Sequence, residues 1–217
     1  MELLYIVLAL FSYIRPFIES LTKMELTEGW VNFLTNPIVF NPGGSMDSRA
    51  VAFSAVFVAL TAVGAWITIP LGPVPVTLQV MMVILSGLLL GSRLGFLSQL
   101  LYVLAGMIGF PVFSGFSGGL AHVFGPTGGY IVAFPLAAFV VGDITERSGF
   151  GFKGSLLGSL LGLGIIYLLG WLWLGVYLGN SFWAAFKVGV LPFIGIDVAK
   201  AFLAVAIAKR VRGHFCP

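Results

Sequence analysis

Two opposite charges three residues apart, Asp197 and Lys200, stand in an otherwise apolar run, Pro192-Phe-Ile-Gly-Ile-Asp197-Val-Ala-Lys200-Ala-Phe-Leu-Ala-Val-Ala-Ile-Ala208. At that spacing they share one helix face. An ionised group is expensive in hydrocarbon, so such residues face a bundle interior or a polar cavity. The pair can neutralise itself as a packing device, or it can present a carboxylate acceptor and an ammonium donor to a guest. Intramembrane charge is functional by default, which favours the second use.

Two further stretches carry candidate polar chemistry. Ile69-Pro-Leu-Gly-Pro-Val-Pro-Val-Thr77-Leu-Gln79 is stiffened by three prolines, each of which fixes φ. Thr77 is placed to cap the helix that follows, which leaves the Gln79 amide near the mouth of a site. Gly125-Pro-Thr-Gly128-Gly129-Tyr130 leads into another helix. Unpaired N–H groups at such an end favour anions. Gly128 and Gly129 let a ligand approach the backbone, and Tyr130 adds a flat ring with a hydroxyl. Proline near the first helical position explains Pro126 without any ligand, but paired glycines cost helix stability.

Other chemistries fare worse. Gly115-Phe116-Ser117-Gly118 matches the Gly-x-Ser-Gly pattern of rhomboid intramembrane proteases. A serine nucleophile needs a histidine base within reach. His122 lies in the same loop and His214 in the C-terminal tail; His122 reads as a loop residue with a backbone partner. There is no His/Cys constellation for a metal and no Gly-x-x-x-x-Gly-Lys-Ser/Thr phosphate loop. The chain is therefore expected to be no enzyme, to hold no metal or cofactor, and to borrow energy for any active uptake.

These residues must be positioned within a bilayer. The 217 residues are 59% hydrophobic and 9% charged, against about 25% charge in soluble domains, and the mean hydropathy is +1.08. The net charge of +3 gives no footprint for nucleic acid. Six apolar segments follow, near 49–69, 77–91, 93–109, 128–146, 153–175 and 191–211, predicting an all-α, six-helix membrane bundle. The second and third are joined only by Gly91-Ser-Arg93. The loop from Phe110 to Thr127 is long and free of acidic or basic charge; its apolar residues Phe110, Val112, Phe113, Phe116, Leu120 and Phe124 suggest that it folds back over the bundle. Arg49, Arg93, Arg147, Lys153, Lys209, Arg210 and Arg212 fall on one side and Lys187 on the other. The positive-inside rule makes the first side, with both core termini, cytoplasmic. Asp197 then lies about 8–9 Å below the outer end of the last helix.

Small residues mark contacts. Gly87, Gly91 and Gly95, and Gly154, Gly158 and Gly162, repeat every fourth residue, which lets backbones approach closely in lipid. Ala52, Ala55, Ala59 and Ala62 form a stripe suited to packing or to docking another membrane protein. Asp143, Glu146, Arg147 and Lys153 read as a compensated turn, with partner docking as the second reading. Residues 1–45 read as an extension before a 46–217 membrane domain: an interfacial helix, a seventh segment, or untranslated sequence ahead of a true start at Met46. Cys216 is the single cysteine, so no intrachain disulfide is expected.

Four pieces in order resemble the BioY family, the biotin-specific S components of energy-coupling factor (ECF) transporters: Pro73-Val-Pro75-Val-Thr77-Leu-Gln79, Gly106-Met-Ile-Gly109-Phe-Pro111-Val-Phe113, Gly125-Pro-Thr-Gly-Gly-Tyr130 and Pro192-Phe-Ile-Gly-Ile-Asp197-Val-Ala-Lys200. The resemblance covers about residues 47 to 210. It implies a six-helix fold with both termini inside, biotin bound near the outer face, Asp197 and Lys200 as the ligand-contacting pair, and Ala55 and Ala59 docking on a transmembrane coupling protein driven by two ATPase subunits. Biotin offers a ureido ring with two N–H donors, a thioether ring and an anionic tail. Asp197 can accept ring N–H bonds; Lys200 can donate to the ring carbonyl or to the carboxylate. Phe113, Phe116 and Tyr130 are placed to line the apolar ring, and the Gly128–Gly129 helix start is a second candidate for the tail. The expected function is biotin capture in the cell (plasma or inner) membrane. An S component for another small vitamin, and a hydrolase using Ser117, are the alternatives. A homo-oligomer stays open.

Overall fold

The computed structural model describes residues 48–70 and 73–215. Seven helices are seen among them: α1 (Ser48–Trp66), α2 (Gln79–Met107), α3 (Leu120–Val123), α4 (Gly128–Arg147), α5 (Phe152–Tyr177), α6 (Phe182–Gly189) and α7 (Ile194–Phe215). A two-residue antiparallel ribbon, β1 (Thr68–Ile69) with β2 (Val76–Thr77), interrupts the all-helical expectation. Ala50–Arg210 form one compact unit. The reading of residues 1–45 as an extension lies outside the described residues.

By length and composition alone, three helices, α2 taken end to end, α4 and α5, are long and apolar enough to cross a membrane, and α6 with α7, bent by 51°, passes the same test as one broken span. The chain is a helical membrane protein. α1, apolar from Val51 to Trp66, is shorter.

α2 is not a straight rod. Gly91 has φ +82°, a left-handed value that side chains rarely adopt. The chain reverses there. Gln99 Nε2 donates to Ser86 Oγ at 3.2 Å, and Gln79 Nε2 donates to the Tyr102 hydroxyl; in a straight helix Gln79 and Tyr102 would stand about 35 Å apart. A Cβ on Gly95 would lie 3.1 Å from the Gly87 Cα, so the two arms touch through glycine. The turn is clasped from α4. Glu146 Oε1 accepts from Ser92 N and its Oε2 from Ser92 Oγ, both at 2.9 Å. Glu146 thus caps the second arm, while Asp143 pairs with Arg147 at 2.9 Å; the acidic cluster divides its labour instead of forming one solvated turn.

Between lipid-facing helices there is no hydrophobic drive, so close packing decides. Gly158 and Gly162 of α5 lie against Val141, Ile144 and Ala137 of α4, where any Cβ would crowd them. Gln99 is fully buried and ties both arms to α1 by donating to Thr61 Oγ1 at 3.2 Å. On α1, Ala52, Ala55 and Ala59 are exposed, whereas Ala62 is 4% exposed and belongs to the core.

The connections carry structure of their own, and one expectation changes. The Gly175–Gly189 connection contains α6, pinned by Trp171 Nε1 donating to Phe182 O at 2.8 Å. In the glycine loop only Phe113 is fully buried; Phe110, Phe116, Leu120 and Phe124 are exposed. The loop is held by its floor: Phe113 sits where a Gly106 Cβ would be, and Trp66 Nε1 donates to Pro111 O at 2.9 Å.

Candidate ligand-binding cleft

Asp197 falls in the first turn of α7, just past the break at 190–193, and Lys200 one turn on. Both are buried, at 4% and 8% exposure. Lys200 Nζ donates to Asp197 Oδ1 and to the Thr77 carbonyl, each at 2.7 Å. Asp197 Oδ2 accepts from the Tyr167 hydroxyl of α5 at 2.8 Å. The charges therefore cancel inside the protein, as buried charges must.

Thr77 and Gln79 reach the same place from the β-ribbon and the start of α2, and both are buried. The cap position of α2 is Leu78, not Thr77. The Thr77 hydroxyl accepts from Gln79 N at 3.3 Å and donates to Gln79 Oε1 at 3.1 Å. Tyr102 then donates to Val112 O at 2.9 Å, which ties this group to the glycine loop. Tyr130 of α4 donates to Gly189 O at 2.9 Å, across the end of α6.

These elements enclose a cleft with an empty volume of about 590 Å³, its open mouth included. Its floor and walls include Thr77, Gln79, Tyr130, Phe134, Tyr167 and Asp197, with Ser114, His122 and Thr127 from the loop and the start of α4. The lining surface is mainly apolar, and the polar groups of eight side chains converge on it, a mixture suited to a small molecule that is apolar in body and polar at its edges. Lys200 is not among the lining residues; it stands behind Asp197.

Four further sequence candidates lie elsewhere. Phe116 is 63% exposed and stacks on Trp66 at 4.8 Å between centroids. Phe113 braces the cleft from outside its lining, packed on Tyr102 and His122. Gly128 and Gly129 serve close packing: added Cβ atoms would strike Val123 O and Trp173, and Gly128 N already donates to Gly125 O at 3.1 Å.

His122 has side-chain partners as well as its backbone bond. Ser117 donates its hydroxyl to Ser114 O at 2.7 Å. The Ser117 oxygen, 3.0 Å from His122 Nδ1, is left to accept from the imidazole. Nε2 then accepts from Thr127 Oγ1 at 3.4 Å. The ring is a donor to Ser117, the reverse of what a general base requires. Burial lowers the His122 pKa and favours this neutral form.

Tyr167 and His122 were missed as cleft residues. A tyrosine in the apolar run Leu156–Trp173 was the available signal, since a hydroxyl at that depth needs a partner. Nothing local indicated that His122 would turn inward.

The chain is similar to known proteins over most of its length. The profile of the BioY family matches residues 37–215. A probable biotin transporter BioY of Pyrococcus horikoshii is 55% identical over 169 residues, covering 78% of this chain and 99% of that one. The biotin transporter BioY of Thermotoga maritima is 45% identical over 164 residues, 76% of this chain and 96% of its own. The crystal structure of an S component for biotin from an ECF-type ABC transporter superposes with a TM-score of 0.72 at 29% identity, covering 78% of this chain and 95% of that one.

Proposed function

The chain belongs to the BioY family, and from that premise we propose that it is a biotin-capture (S) subunit of an ECF-type transporter. It is a transport protein and not an enzyme. The bundle crosses the cell membrane six times, counting α1, the two arms of α2, α4, α5 and the broken α6–α7 span, with both ends of the core inside. The cleft opens outward.

The observation that carries the reading is a buried carboxylate at the wall of a mainly apolar cleft. Asp197 has two donors in the protein, and a carboxylate offers about four lone-pair sites. Two remain for N–H groups, which a ureido ring supplies. Gln79 and Thr77 contact the same ligand, Tyr130 packs on its apolar rings, and Lys200 steadies Asp197 from behind. Ser114, His122 and Thr127 offer neutral polar groups on the loop side. Release inward depends on partners: the exposed Ala52, Ala55 and Ala59 face of α1 docks on a transmembrane coupling protein, and two ATPase subunits supply the energy.

Titration of the purified chain with labelled biotin by equilibrium dialysis tests the reading, with other vitamins as competitors. Saturable binding that biotin alone displaces supports it; displacement by a different vitamin, or no binding, refutes it.

A further inference from the structure

Lys200 and Asp197 ride on the same helix, so their bond ties the carboxylate to the rest of the cleft only through the second Lys200 bond, to Thr77 O. Tyr167 comes from α5 and lines the cleft itself. Its hydroxyl holds Oδ2 at 2.8 Å while Lys200 holds Oδ1 at 2.7 Å. The terminal torsion of an aspartate is broad. Rotation about Cβ–Cγ moves both oxygens together, so each bond restrains it: the Lys200 bond through a flexible side chain, the Tyr167 bond through a ring carried on a different helix.

We propose that Tyr167 is a positioning residue that fixes the plane of the Asp197 carboxylate, so that its remaining lone pairs meet a ureido N–H, and that it thereby sets the selectivity of the cleft for N–H donors. This rests on the reading of the cleft as a biotin site. Tyr167→Phe removes the hydroxyl and keeps the ring, so wall packing is preserved.

The test is a cycle of protein and ligand changes. Biotin, desthiobiotin and biotin methylated on one or the other ureido nitrogen are titrated into wild type and Tyr167→Phe. Loss of a hydrogen bond to a charged group predicts about tenfold or more weaker binding of biotin and desthiobiotin, both of which keep the ureido N–H groups. For the analogue lacking the N–H that faces Asp197, wild type and variant should agree within about twofold. Dissociation constants do not depend on the fraction of protein folded, so incomplete folding does not mimic the result. An equal loss for all four ligands, or no loss for biotin, overturns the proposal. Asp197→Asn is titrated in parallel. If it binds biotin as wild type does, the reading of the cleft falls together with the proposal; if it loses biotin and Tyr167→Phe does not, only the role of Tyr167 falls.

Discussion

Lys200→Met and Asp197→Asn, made singly and together, separate what the ion pair does for the fold from what it does for the ligand. The two side chains are 10% and 6% exposed. Lys200→Met leaves Asp197 with Tyr167 as its remaining donor and takes a donor from Thr77 O. Deleting one member of a buried pair costs about 3–5 kcal/mol, whereas replacing both by uncharged groups is close to neutral. At about 2–4 °C per kcal/mol for a chain of this size, each single change should lower the thermal midpoint by about 6–20 °C. The double variant should return to within about 5 °C of wild type. Biotin binding should stay lost in all three, because the acceptor that recovers the fold is not the one the ligand needs. Midpoints are read on detergent-purified protein without biotin, and binding by equilibrium dialysis. A double variant as unstable as the two singles summed, or one that binds biotin at wild-type strength, would refute the reasoning.

Gly106→Ala places a Cβ 2.0 Å from the Phe113 ring; the overpacking should cost about 1–3 kcal/mol and speed biotin release by unseating the loop, measured as a lower midpoint and a faster chase of labelled ligand. Glu146→Ala removes both bonds to Ser92 and should cost about 1–2 kcal/mol, with Glu146→Gln between it and wild type in the same melting assay. His122 has a lowered pKa in the folded protein, so its contribution is full above the unfolded value of about 6.5. As pH falls through the folded value the contribution is lost and then levels off. The midpoint should therefore fall on acidification below about pH 6.5, and His122→Gln should flatten that part of the profile; an unchanged slope in the variant would exclude the imidazole.

What the sequence made legible is what depends on local pattern. A carboxylate and an ammonium in an apolar run stand out at once, and their spacing puts them on one face. Gly91-Ser-Arg93 betrays the hairpin because so short a link leaves the arms as neighbours. What stayed hidden depends on distant partners. Tyr167 lies thirty residues from Asp197, so its bond leaves no local mark. Gly128 and Gly129 looked like space for a ligand, yet the space is taken by Val123 and Trp173. Phe113 and Phe116 are alike in sequence and opposite in the fold, because only one of them meets a glycine, Gly106, on the facing helix. α6 lies between two of the six segments read as helices, although Phe182, Ala185, Phe186 and Gly189 already carry helical spacing.

The reversal at Gly91 bears on how the protein enters its bilayer. The first arm of α2 ends before Gly91 and rises about 18 Å, and the second about 24 Å, both short of a hydrocarbon layer about 30 Å thick. A nascent chain that stops at the turn presents too little grease to be retained. The two arms must partition as one object once both have left the ribosome, with Gln99 of the second arm already donating to Ser86 of the first. The Glu146 clasp arrives later, when α4 is made, and locks a pair that had to be accepted whole.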